Sequence, residues 1–110
     1  MSLRSQAVLL ADTLRAIVIA LGAYNKDARS TYTKSLAAQL GPLVSEFAMA
    51  TEAGSRDTAA NVLASIAPIM QEAISAATKG EIDFVSGEAL ERYWQLHTIF
   101  REQQYRGQEL

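Results

Sequence analysis

Apolar residues recur along this chain at alternating intervals of three and four, the spacing that lines one face of an α-helix. Leu10, Leu14, Ile17 and Leu21 form a first stripe, predicting a helix over 5–24. Tyr32, Leu36, Leu40, Leu43, Phe47 and Ala50 form a second, over 28–53. A third helix, over 57–79, carries Ala59, Val62, Ile66, Ile69, Ala73 and Ala77. The fourth, over 86–105, carries Ala89, Tyr93, Leu96 and Phe100, with Val85 just ahead of it. Nowhere do β-branched and aromatic residues alternate for long enough to suggest a strand.

The signals between these stripes agree with the division. Asn25-Lys26-Asp27 separates the first two helices, and Gly54-Ser55 the next two. Ser55 or Asp57 can accept hydrogen bonds from the free amides that open the third helix. Lys79 suits the negative end of the helix dipole, and Gly80 can take the left-handed conformation that ends many helices. Glu81 to Val85 is a short acidic connection, after which Ser86 is a good N-cap. Short connections between long helices favour antiparallel neighbours, so the expected fold is all-α, an up-and-down four-helix bundle forming one domain over 1–110.

Two prolines complicate that picture. Pro42 and Pro68 fall in the middle of the second and third helices, where each lacks an amide hydrogen and crowds the carbonyl four residues back. Those carbonyls belong to Ala38 and Ala64, and kinks are expected at both. Gly41-Pro42 could instead break the second helix in two. A shift of 26 residues also lays Pro42 on Pro68 and Glu46 on Glu72, a match that two alanine-rich amphipathic helices produce without any duplication.

Composition narrows the function classes. Hydrophobic residues make up 49% of the chain and charged residues 20%, enough apolar surface to offset the ordering entropy of one core. Alanine, the best helix former, occurs 19 times. A net charge of −2 gives no general attraction to phosphate backbones, so nucleic acid is not an expected partner. The basic stretch from Lys26 to Lys34 is diluted by Asp27. The absence of cysteine removes disulfides and thiolate metal sites and fits a reducing compartment, and the cytoplasm is the expected location. Asp12 and Arg15 interrupt the apolar run from Ala7 to Ala23, so neither a signal peptide nor a membrane span is expected there.

Candidate chemistry is sparse. His97 is the one histidine, so histidine clusters and the paired Glu-x-x-His motifs of di-iron bundles are absent. No metal or cofactor is expected. Glu81, Asp83, Glu88 and Glu91 gather around a loop and a helix start, where they read as solvated acids that offset the helix dipole. No nucleophile elbow or phosphate-cradling glycine loop occurs, and no catalytic residue is assigned.

The informative feature is apolar surface outside the stripes. At about 100° per residue, Trp94 projects a quarter turn or more from the core arc of the fourth helix, with Tyr105 beside it. Leu90, His97 and Arg101 fill the wheel between, giving one flank that mixes aromatic, cationic and aliphatic groups, as interface hot spots do. On the first helix Val8 and Ile19 project with Asp12 and Arg15 rather than with the core stripe. The expectation is a non-enzymatic helical interaction module, self-associating, acting as an adaptor, assembly or regulatory subunit. Its interface would comprise Leu90, Trp94, His97, Arg101, Tyr105, Val8 and Ile19. The alternative is a binder of small apolar ligands, with a pocket near the kinked helices and a polar contact from His97 or Tyr93.

Overall fold

The computed structural model describes residues 2–23, 30–80, 87–105, 107 and 110. Among these the chain forms four α-helices and no strand: α1 (Leu3–Ala23), α2 (Ser30–Glu52), α3 (Arg56–Thr78) and α4 (Gly87–Tyr105). The expected stop at Asn25 to Asp27, the acidic connection with Val85, and the Ser86 cap lie outside the described residues.

The stripes bury as their spacing requires. Leu10, Leu14, Ile17 and Leu21 are fully enclosed, as are Leu40, Phe47, Ile66, Tyr93 and Phe100. Full enclosure of each such side chain contributes roughly 1.5–3 kcal/mol. Phe47 of α2 meets Phe100 of α4 edge-on across the centre, with centroids 5.7 Å apart and planes at 65°. Three stripes are turned in part by one position from the sequence expectation; in α4 His97 is buried where Leu96 was expected and Leu96 is half-buried. In α3 Leu63, Met70 and Ala76 join Ala59, Ile66 and Ala73 in the core, while Val62, Ile69 and Ala77 are half-buried. In α2 Val44 is buried and Leu43 half-buried.

The Arg4 guanidinium donates to the Glu52 carbonyl at 3.3 Å, joining the start of α1 to the end of α2. At the other end Gly22 lies against the Ala37 methyl. Early in α2, the Tyr32 hydroxyl donates to Glu72 Oε1 at 2.9 Å, late in α3. The molecule is elongated, 44 × 22 × 18 Å. Packing around the bundle is uneven: α1 lies along both α2 and α4, and α2 along α3, whereas α3 and α4 barely touch.

Helix ends partly follow expectation. Gly54 (φ 73°) closes α2, with Ser55 N–H donating to Ala50 O at 2.9 Å and Gly54 N–H to Thr51 O at 3.1 Å. That pair of bonds is the Schellman arrangement, which satisfies carbonyls the helix leaves free. Gly80 (φ 73°) ends α3 as expected. The Ser55 side chain, however, makes no capping bond to an amide. Its hydroxyl donates to Thr58 Oγ1 at 2.8 Å instead. Both prolines lie inside unbroken helices, so Gly41-Pro42 does not divide α2.

By length and composition α1 is long and apolar enough to cross a membrane, the one described helix that is, with 33% of the qualifying stretch buried inside the bundle. Its outer side carries the Asp12–Arg15 ion pair at 3.3 Å, the two charges that interrupt the apolar run.

Candidate functional site: the seam between α3 and α4

The sparse packing of α4 on α3 leaves a seam. On this flank α3 presents the small side chains Ala60, Ala64, Ala67 and Pro68. Two hollows follow the seam, each of about 540 Å³. The first is lined by those four residues with Asn61, Leu63 and Gln71 from α3 and His97 and Arg101 from α4. The second lies toward the start of α4 and is bounded by Ile74, Ser75, Leu90, Glu91, Trp94 and Gln95, with Gln71 common to both.

Four of the seven residues expected at an interface, Leu90, Trp94, His97 and Arg101, therefore line this seam together. Trp94 is 46% exposed. Arg101 is exposed and Leu90 half-buried. His97 is only 5% exposed, deeper than the rim position its place on the helical wheel suggested. The side chain of Tyr105 lies outside the described residues. Val8 and Ile19 are exposed, Ile19 at 71%, but the structure does not bring them to the seam. Val8 instead borders a separate hollow between α1 and α2 with Ala48 and Thr51. The wheel did not single out two other exposed apolar residues, Leu9 and Met49.

The polar chemistry of the seam centres on an aromatic cluster. Tyr93, buried, places its hydroxyl 3.3 Å from His97 Nδ1. Trp94 and His97 stack, with centroids 5.5 Å apart and planes 10° from parallel. Burial lowers the His97 pKa from its ordinary 6.5, and the nearby Arg101 charge lowers it further. The ring is therefore neutral at pH 7. Burial pushes the Tyr93 hydroxyl up, so it stays protonated and can donate to Nδ1. In that arrangement Nε2 carries the ring hydrogen.

Sequence reasoning placed a pocket between the two proline-bearing helices. The hollow beside a proline lies instead between α3 and α4, with Pro68 and His97 in its lining but neither Pro42 nor Tyr93. The residues missed were those of the α3 wall, chiefly Ala60, Asn61, Ala64 and Gln71. Their own three-and-four spacing marked a flank of small and amide side chains beside the apolar stripe. Among the described residues, no group of three or more histidines, aspartates or glutamates could hold a metal ion. Glu81 and Asp83 of the acidic cluster lie outside the described residues.

No protein-family model matches the chain, and neither a curated protein nor a solved structure matches it.

Proposed function

We propose that this chain is a non-enzymatic helical interaction module that self-associates through the Trp94 flank, serving as an adaptor, assembly or regulatory subunit in the cytoplasm. The observation that carries the reading is the open α3–α4 seam, with a 46% exposed tryptophan on its rim. Apolar area left in water is unfavourable at roughly 25 cal/mol per Å². A second copy presenting the same flank would cover Ile74, Leu90 and Trp94 by two-fold symmetry, as most soluble oligomers do. Val8 and Ile19 would form a second apolar patch on another flank, available to a different contact.

In the same reading the bundle runs up and down. The end-to-end contacts of α1 with α2, of α2 with α3, and across the α3–α4 seam support this order. Pro42 and Pro68 bend α2 and α3 by withdrawing a donor from the Ala38 and Ala64 carbonyls. Ala64 and Pro68 both line the first hollow, and a bend there would hold α3 away from α4.

Sedimentation equilibrium of the parent protein and Trp94→Ala tests the proposal. The parent should exceed its 11.9 kDa monomer mass in a concentration-dependent way. Removing a central aromatic anchor should weaken assembly about tenfold or more with helicity unchanged. A parent protein that stays at 11.9 kDa from micromolar to millimolar concentration would overturn it.

A further inference from the structure

We propose that the hollow beside Pro68 binds a small carboxylate with an apolar body, its anionic end held by Arg101 and the ring N–H of His97. This goes beyond self-association, because it assigns a ligand to the hollow beside Pro68, whereas the two-fold contact proposed above centres on Ile74, Leu90 and Trp94 farther along the seam.

Size is the first requirement, and about 540 Å³ lies within the roughly 300–1,000 Å³ of small-molecule sites. The α3 wall of alanines and Pro68 offers apolar contact without filling the space. Charge is the second. The lining includes the Arg101 guanidinium and no carboxylate, and Arg101 has no ion pair among the described residues. A guanidinium presents a planar fork of donors that matches a carboxylate with two parallel hydrogen bonds.

The third requirement is a polar group waiting for a partner. His97 is 5% exposed and its Nδ1 is engaged by the Tyr93 hydroxyl. Nε2 has no hydrogen-bond partner among the described residues, and the residue lines the hollow. Nε2 is not one of the enclosed side-chain atoms left without a partner, so it opens onto solvent in the hollow, where a ligand acceptor can replace water. With Tyr93 donating to Nδ1, Nε2–H is a donor. Two donors on one wall, one of them cationic, complement an acceptor-rich anion. A neutral or cationic ligand would leave the guanidinium unanswered.

Titration of the ¹⁵N-labelled protein with sodium octanoate, beside 1-octanol as the neutral counterpart, tests this directly. Octanoate should shift the amides of α3 and α4 around the hollow saturably, and octanol should bind at least about tenfold more weakly. Bound octanoate should also raise the titration midpoint of the His97 ring. Arg101→Gln, at an exposed position, should lower octanoate affinity about tenfold or more without loss of helix. Equal binding of octanol and octanoate, an unchanged Arg101→Gln affinity, shifts centred elsewhere, or no saturable binding would each overturn the proposal. Running the titration at dilutions where the protein sediments as a monomer separates the two ideas. Failure to self-associate leaves the expected octanoate binding intact, and failure to bind octanoate leaves assembly untouched.

Discussion

The indole of Trp94 lies flat on the imidazole of His97, 5.5 Å between centroids and 10° from parallel. The stack ties an exposed ring to a buried one at the middle of the seam. Protonated imidazole quenches a neighbouring indole, and Trp94 is the one tryptophan in the chain. Fluorescence should therefore fall on acidification with a midpoint below 6.5, the ordinary imidazole value. His97→Gln should abolish that step, and a midpoint at or above 6.5 would contradict the burial of the ring.

The same group makes stability depend on pH. Its folded pKa lies below 6.5, so as pH falls beneath 6.5 the unfolded chain takes up a proton that the folded chain refuses. Stability is then lost until the pH passes the folded value, and above 6.5 the residue adds no slope. Thermal melts should show this decline in the parent and a flatter profile in His97→Gln, whose side chain can still accept from Tyr93.

Pro42 is exposed within an unbroken helix, so Pro42→Ala restores a donor to the Ala38 carbonyl without disturbing the core. An interior proline costs about 3 kcal/mol relative to alanine, and the stiffer unfolded chain it gives returns a little. Urea denaturation should show a gain of about 1–3 kcal/mol. A loss would mean that the proline geometry is needed for packing.

Gly54 at φ 73° closes α2 in a conformation that side chains resist. Gly54→Ala should cost about 1–2 kcal/mol in the same assay, although a methyl would meet only the Leu110 carbonyl oxygen, at an ordinary 4.0 Å.

The edge-on contact of Phe47 with Phe100 holds α4 onto the bundle from inside. Phe100→Ala should destabilise by about 3–5 kcal/mol, chiefly through the cavity it leaves. Calorimetry reads this as a lower Tm.

How much of this was legible in the sequence differs by level. All four residues of the α1 stripe, Leu10, Leu14, Ile17 and Leu21, are buried because they are large and their neighbours mostly polar or small, while Leu3, Ala7 and Ala11 join them beyond the stripe. In α3 the spacing located the axis of the stripe at Ala59, Ile66 and Ala73 but not which edge turns deepest. Val62 and Leu63, or Ile69 and Met70, are equally apolar, and the choice depends on where the neighbouring helices sit. Trp94 outside the core was visible from the helical wheel. The seam was not, because it arises from α4 preferring α1 over α3, a tertiary outcome that one-dimensional spacing does not encode. The depth of His97, which the wheel put beside the core arc, likewise comes from the helices around it.

Closure of the seam around Trp94 by a second copy, as proposed, would be reported by the chain's single indole. Its emission maximum and acrylamide quenching should be followed as the protein is diluted from millimolar to submicromolar concentration. Closure predicts a blue-shifted, shielded indole at high concentration that turns red and accessible on dilution, along the same curve as the fall in mass. An indole equally accessible at every concentration would contradict it.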